Sequence, residues 1–141
     1  MNGPPLRRRV PGCHVRPAGL SDLDACNALC IDVHGFDRGG ELRDAIGQHT
    51  ATVVERDGRI TGYATSIGFF GHGVARNNAD LMALIAAASE FVSPGFLLQT
   101  RNYEIFAWCL SNGLRLVEQM TLMTTGLYNE PVGSYLTSVL Y

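Results

Sequence analysis

The dipeptide Asp57-Gly58 most constrains the fold of this chain, because it separates two runs that are rich in β-branched and aromatic residues. A two-residue type I′ turn needs a positive φ at both central positions, which glycine adopts at no steric cost. The flanking side chains suit a pleated, half-buried surface. Residues 51–69 are therefore predicted to form a β-hairpin around which the rest of the domain is built.

Length and charge restrict the class of protein. A chain of 141 residues fits one domain and can bury a substantial core. It has no apolar run long enough to cross a bilayer, so no membrane partner is expected. The formal net charge of −2 lacks the basic surplus of a general nucleic-acid binder, so no nucleic-acid partner is expected either. The cytoplasm is the default location.

The run Arg7-Arg8-Arg9 lies among three prolines near the start of the chain. It could belong to a targeting segment, but no hydrophobic region follows it. The alternative is a solvated tail. We therefore predict a flexible N-terminal tail over residues 1–12, a folded domain over 13–126, and a C-terminal tail over 127–141 that packs on the domain.

Strand and helix patterns alternate along the domain. Capping residues and apolar residues at helical spacing mark the helices, while β-branched runs mark the strands. Their order predicts an α/β (α+β) fold with a twisted, mostly antiparallel sheet and helices on both faces. The predicted elements besides the hairpin are an edge strand at 14–17, a helix that Ser21 caps and that buries Leu23, Cys26, Leu29, Cys30 and Val33, a helix over 41–48 capped by Asp37, a strand at 71–75, a helix over 79–91 capped by Asn77 or Asn78, a strand at 96–99, a helix over 102–112 closed by Gly113, and a strand at 115–125.

The four cysteines form neither a CxxC pair nor a dense scaffold, which indicates reduced thiols. Cys26, Cys30 and His34 follow one another at intervals of four residues and share one helical face, where they could ligate zinc. The alternative is core packing, because free cysteine behaves as a small buried hydrophobe and Gly35 ends the helix beside His34. No metal site is predicted.

Several short segments together resemble one family. They are Val15-Arg-Pro-Ala, Asp22-Leu-Asp, the hairpin from Val54 to Ala64, and the closing pattern Asn102-x5-Trp-Cys-x2-Asn-Gly113-Leu. Over residues 14–125 their order is similar to that of a GNAT (Gcn5-related) N-acetyltransferase. The resemblance implies a mixed sheet whose fourth and fifth strands splay apart. It also implies that acetyl-CoA enters this cleft and passes its acetyl group to an amine.

The GNAT pattern has a glycine-rich loop between the fourth strand and the next helix, because backbone N–H groups must approach the pyrophosphate there. In this chain the junction runs from Val74 to Leu81 and lacks those glycines, while Asp80 adds a negative charge that would repel a pyrophosphate. The alternative is an asparagine-capped helix without a ligand. The positions that the resemblance assigns to acetyl-CoA binding are Val74, Ala75, Arg76, Asn77 and Asn102.

The resemblance also gives three candidate catalytic residues. In the family, the position four residues before the glycine that corresponds to Gly113 is often a tyrosine that acts as the general acid. In this chain that position is Cys109, whose thiol could donate a proton or simply pack in the core. His72 has the intrinsic pKa of a general base, although it could instead be a turn residue. Glu118, the second candidate base, could instead be a strand residue that faces solvent.

The segment Gly71-His-Gly-Val-Ala75, with the Asn- and Asp-containing stretch after it, resembles the second, degenerate domain of two-domain GNAT proteins. In those proteins the first domain holds acetyl-CoA and the second helps to shape the acceptor site. The implied partners are a small-molecule amine and either a second copy of the chain or a partner GNAT domain. Two functions follow: an acetyl-CoA-dependent N-acyltransferase, complete or as one half, or a non-catalytic GNAT-fold module that binds a ligand or a protein.

Overall fold

A computed structural model describes residues 1–140; Tyr141, the last residue of the predicted C-terminal tail, lies outside the described residues. Five strands form one sheet in the order β1-β2-β3-β4-β5, and all neighbouring strands are antiparallel. This confirms the predicted fold class. The elements are β1 (His14–Pro17), a 3₁₀ turn (Leu20–Asp22), α1 (Leu23–His34), α2 (Gly39–Gly47), β2 (Thr52–Arg56), β3 (Arg59–Ala64), β4 (Gly73–Ala75), α3 (Asn78–Ala87), α4 (Tyr103–Ser111) and β5 (Ser134–Leu136).

The hairpin prediction is confirmed. Asp57 has a φ of 51° and Gly58 a φ of 72°, as a type I′ turn requires. β2 and β3 pair on either side of this turn, with Val53 opposite Tyr63, and the register shifts after Val54. The predicted edge position of β1 is also confirmed, because β1 pairs only with β2.

The sheet separates two cores, because successive side chains of a strand point to opposite faces. On one face α1 and α2 cover Val53, Tyr63 and Val74. On the other face α3 and α4 cover Val54 and Ala64, together with further strand residues. The predicted placement of helices on both faces is therefore confirmed.

Several helix ends follow the local sequence, and three differ from the prediction. Arg38 rather than Asp37 is the N-cap of α2, and α3 ends at Ala87 instead of continuing to residue 91. Asn77 caps α3 as predicted, since its Oδ1 accepts a hydrogen bond from the Asp80 N–H at 3.0 Å. Gly35 ends α1 in the left-handed conformation, with a φ of 81°. The predicted Ser21 cap is wrong: α1 begins after Asp22, whose carboxylate accepts from the Gly19 N–H at 2.8 Å.

The strands predicted at 96–99 and 115–125 are wrong, since neither range contains a strand. Their hydrogen bonds go elsewhere. Phe96 exchanges two bonds with Met1, at 2.8 and 2.9 Å, and Arg115 exchanges two with Asn2, at 2.9 and 3.0 Å. Met1 and Asn2 thus lie between these two segments.

Both terminal segments lie against the domain. Met1 is only 9% exposed, and the Arg8 N–H donates to the Ala86 carbonyl at 2.9 Å. At the other end β5 forms the last strand of the sheet, opposite β4. The sheet therefore closes with residues that are far from β4 in the sequence.

We expect Gly58→Ala to lower the free energy of unfolding by about 1 kcal/mol, because alanine is strained in the left-handed conformation. Gly47→Ala is the matched control. Gly47 lies in α2 without a positive φ, and neither added methyl group would meet another atom within 4 Å. The control should gain up to about 1 kcal/mol from helix propensity. Urea unfolding of both variants checks the prediction, and equal effects would contradict it.

Candidate functional site

A buried chain of polar side chains connects α2 to the middle of the sheet. The His72 ring, which is 0% exposed, lies between Glu41 of α2 and Tyr63 of β3. His72 Nδ1 is 2.9 Å from Glu41 Oε1, and His72 Nε2 is 2.9 Å from the Tyr63 hydroxyl. Arg38 completes the chain, because its Nη2 donates to Glu41 Oε2 at 2.6 Å.

The partners determine where the protons lie. An ionised carboxylate can only accept, so His72 Nδ1 carries the proton that it donates to Glu41. The neutral ring then accepts at Nε2 from the Tyr63 hydroxyl. Burial holds the pKa of His72 below its ordinary value, and the Arg38 guanidinium lowers it further against the opposing effect of Glu41. Burial works to raise the pKa of Glu41, yet the net pKa is lowered by His72 and Arg38.

This arrangement holds the ring of His72 rather than exposing it. Both ring nitrogens are already hydrogen-bonded, whereas a general base must reach the proton that it removes. Glu41, with a side chain 27% exposed, is the member of the chain that approaches the surface. The geometry therefore joins α2 to β3 and to the residue that precedes β4. Direct contact of His72 with an amine would require these hydrogen bonds to exchange.

His34 lies near this chain at the end of α1. Its side chain packs edge-on against Tyr135, with ring centroids 5.2 Å apart, and its Nε2 has no hydrogen-bond partner among residues 1–140. Burial lowers the pKa of His34 to about 4, and the charge of Arg38 contributes. Cys26 and Cys30 share the buried face of α1 with His34. Residues 1–140 nevertheless contain no group of three His, Cys, Asp or Glu side chains placed to hold a metal ion.

The residues assigned to acetyl-CoA on β4 lie inside the sheet. Val74 and Ala75 are both 0% exposed, and β4 pairs with β3 on one side and β5 on the other. The chain after α3 meets the β3–β4 connection at a single parallel bridge, between Gly68 and Val92, before it turns toward Met1. β5 therefore lies beside β4, where the resemblance implied an open cleft.

Side chains also close the start of α3. Asp80 is fully buried and accepts from Arg56 Nη2 at 2.9 Å, and Asn77 donates to its other oxygen at 2.9 Å. Asn102 accepts from the Ile105 N–H and donates to Asn78 at 2.9 Å. Of the residues assigned to acetyl-CoA, Arg76 is the exposed one that carries a charge, and its guanidinium pairs with Asp32 at 3.4 Å.

Two other candidate residues lie apart from His72. Cys109 is 0% exposed in the core on the α3 and α4 face, and burial raises the pKa of its thiol to about 12. These surroundings favour the packing alternative. Glu118 is exposed on an irregular segment, so its predicted location on a strand is wrong. The structure does not bring His72, Cys109 and Glu118 into hydrogen-bond contact within residues 1–140. Their catalytic roles stay predictions.

The sequence interpretation missed the partners of His72. Glu41 lies 31 residues away and Tyr63 nine residues away in the chain. Helical spacing could have connected Arg38 with Glu41, because side chains three residues apart on a helix are neighbours. No local pattern indicates that α2 reaches His72.

The fold of the chain is similar to that of known structures. The described chain is similar to an acetyltransferase of the GNAT family from Bacillus cereus ATCC 10987, with a TM-score of 0.56 and 19% identity, over 72% of this chain and 81% of that one. The fold is therefore GNAT-like, as the resemblance implied. At this identity the likeness shows the fold alone.

A second solved structure is the apo form of the aminoglycoside antibiotic 6'-N-acetyltransferase AAC(6')-IG from Acinetobacter haemolyticus. Its TM-score is 0.44 at 15% identity, over 82% of this chain and 99% of that one. No family model matches the sequence, and no curated protein matches it. Among the described helices, none is both long and apolar enough to cross a membrane.

We expect His72→Ala to lower the free energy of unfolding by about 3 kcal/mol, because it leaves a cavity and removes the hydrogen-bond partner of the buried Tyr63 hydroxyl and of the partly buried Glu41. Tyr63→Phe, which keeps the ring and removes one hydrogen bond, should cost about 1 kcal/mol. His14→Ala is the control, since the His14 side chain is 72% exposed. Urea unfolding measures all three. If His72→Ala lowers the free energy of unfolding no more than His14→Ala does, the buried hydrogen bonds of His72 do not stabilise the fold as described.

We also expect stability to fall as the pH drops below about 6.5, the ordinary pKa of histidine. The lowered pKa values of His34 and His72 mean that the unfolded chain binds more protons between the folded and unfolded pKa values. The contribution is full above pH 6.5 and is lost as the pH falls toward 4. His34 alone should account for about 2 kcal/mol between pH 7 and 5.

His34→Phe separates this contribution, because phenylalanine can keep the aromatic packing and cannot titrate. Unfolding free energies of the wild type and the variant at several pH values provide the measurement. The variant should retain more of its stability at pH 5. An unchanged pH slope would show that His34 is not the source.

Proposed function

We propose that this chain takes part in acetyl transfer from acetyl-CoA to a small-molecule amine, as one half of a GNAT-type N-acyltransferase whose other GNAT domain holds the acetyl-CoA. The GNAT-like fold supports the reaction class. The pairing of β4 with β5 carries the assignment to one half. Because β4 is hydrogen-bonded along both edges, the cofactor would need to displace β5 to bind between the strands of this chain.

The start of α3 also supports the proposal that the other GNAT domain holds the acetyl-CoA. A pyrophosphate at this helix N-terminus would meet the Asp80 carboxylate, which is fully buried and already paired with Arg56. The cap formed by Asn77 satisfies the Asp80 N–H that a phosphate would otherwise use. Holding acetyl-CoA therefore falls to the other domain in this proposal, and the acceptor amine is the ligand that this chain helps to position.

A face for the partner GNAT domain is present on residues 116–127. This segment has no strand partner in the described chain and carries an unusual number of exposed apolar side chains. A contiguous exposed apolar surface commonly marks an interaction site. Backbone without a strand partner can pair with another chain. Its exposed apolar residues are Leu116, Val117, Met120, Leu122, Met123 and Leu127.

The second candidate function is a non-catalytic GNAT-fold module that binds a small ligand or a protein. The closed surroundings of His72 and Cys109 favour it, because neither side chain is exposed to a substrate. The two functions differ in one measurable respect. Only the acyltransferase function requires acetyl transfer by an assembly that contains this chain. We propose that this assembly is cytoplasmic.

The test uses the isolated chain and the full product of the gene that encodes it. Calorimetry of the isolated chain with millimolar acetyl-CoA should give no saturable heat. The full product should release CoA thiol when it is given acetyl-CoA and a panel of small amines. Saturable binding by the isolated chain would overturn the assignment to one half, and absence of thiol release by the full product would favour the non-catalytic module.

A pair of variants tests the partner face. Leu122→Asp should lower thiol release by the full product at least tenfold, because a charge in an apolar interface is left desolvated. Leu20→Asp is the matched control, since Leu20 is 67% exposed outside the segment and Leu122 is 56% exposed within it. Circular dichroism verifies that both variants are folded. Equal activity of the two variants would remove residues 116–127 from the interface.

A further inference from the structure

Two surface hollows lie along the outer strand β1 and the C-terminal end of α3. Their volumes are about 330 and 390 Å³, and both are lined by Val15 and Ala87, so they adjoin one another. The first is lined by Arg7, Arg8, Arg9, Val10, Cys13, His14, Val15 and Ala87. This lining contains three arginines and no carboxylate, and its histidine, His14, pairs with Glu55 at 3.4 Å.

The three arginines of this hollow differ from most others in the chain. All 11 cationic side chains of the protein are arginines, and five of them, at positions 16, 38, 56, 76 and 101, form ion pairs with carboxylates. No described ion pair involves Arg7, Arg8 or Arg9. Three guanidinium side chains that line one hollow without a paired carboxylate give it a positive potential, which favours a bound anion.

The backbone that carries these arginines is anchored. The Arg8 N–H donates to the Ala86 carbonyl at 2.9 Å, and the Cys13 N–H donates to the Val10 carbonyl at 3.1 Å. Val10 and Cys13 pack against the core on the α3 face. Arg8 Nη1 also donates to Asn112 Oδ1 at 2.9 Å, which holds one guanidinium in position. The hollow is therefore formed by a fixed strap across the domain.

The geometry points to a binding site for a small organic phosphate in this hollow. A guanidinium group presents paired N–H donors that match two phosphate oxygens. Val10, Val15 and Ala87 supply apolar surface for the organic part of the ligand. The carboxylate that Cys13 contacts, Asp80, is paired with Arg56 and so does not oppose an anion strongly. Ala87, the residue of α3 that lines the hollow, is the last residue of that helix, and the site is independent of the proposed acetyl transfer.

Calorimetry of the described chain with phenyl phosphate tests the proposal. We expect saturable binding that is tighter than the binding of inorganic phosphate, because the phenyl ring adds apolar contact. The double variant Arg7→Ala/Arg9→Ala should bind phenyl phosphate at least tenfold more weakly. Arg59→Ala is the matched control, since Arg59 is also exposed but lies beside the hairpin turn, and it should change binding by less than twofold.

Three outcomes would overturn the site. Phenyl phosphate could give no saturable heat at millimolar concentration, or Arg59→Ala could weaken binding as much as the double variant does, which would indicate a general charge effect. The third outcome is that a single-stranded oligonucleotide binds through Arg7 and Arg9 while phenyl phosphate does not. That result would identify the arginines as a nucleic-acid surface instead. Thermal unfolding of each variant verifies that a loss of binding is not a loss of fold.

Discussion

The register of the β2–β3 hairpin is the constraint on which the rest of this structure depends. With the observed register, Val53 and Tyr63 face the core beneath α1 and α2, while Val54 and Ala64 face the core beneath α3 and α4. A slip of one residue would exchange the two sets, because side chains alternate along a strand. The turn at Asp57-Gly58 prevents that slip.

The buried polar chain depends on the same register. Tyr63 reaches His72 because its strand position directs its side chain toward α1 and α2, and His72 in turn reaches Glu41. A pair of charged or polar groups in such a place contributes little net stability by itself, yet breaking it is costly. The hydrogen bonds that link Arg38, Glu41, His72 and Tyr63 therefore restrict how α2 can lie on the sheet more than they stabilise the fold.

A GNAT-like fold offers several positions where a ligand could bind. In this protein its own residues occupy them. β5 covers the edge of β4, and the side chains of Asn77 and Asp80 occupy the start of α3. Met1 takes the hydrogen bonds of Phe96. The closures by β5 and by Met1 depend on contacts between distant parts of the sequence, whereas Asn77 and Asp80 are three residues apart. Together they explain how a GNAT-like shape can persist without the glycine-rich loop that binds the cofactor.

Local interactions explain which parts of the fold could be predicted. The hairpin turn and the Asn77 cap depend on residues within a few positions of one another, and both are confirmed. The strands expected at 96–99 and 115–125 have suitable residues, but Met1 and Asn2 take the hydrogen bonds of Phe96 and Arg115. A strand requires a partner, and sequence pattern alone does not indicate one.

The candidate site was predictable only in part for the same reason. His72 stood out by its chemistry, whereas Glu41 gained its role from the position of α2. The strand β5 was missed because three residues, Ser134–Leu136, are too few to show a period of two. The features that decide whether the site is open are therefore the ones that depend on tertiary contacts.

The position of β5 has a consequence for the synthesis of the protein. Residues 76–133 separate β4 from β5 in the chain, so a ribosome completes β4 long before the strand that covers it. During that interval β4 has an unpaired edge, to which strands of other nascent chains can add. A product truncated before Ser134 would keep this edge of β4 unpaired and would be prone to aggregation.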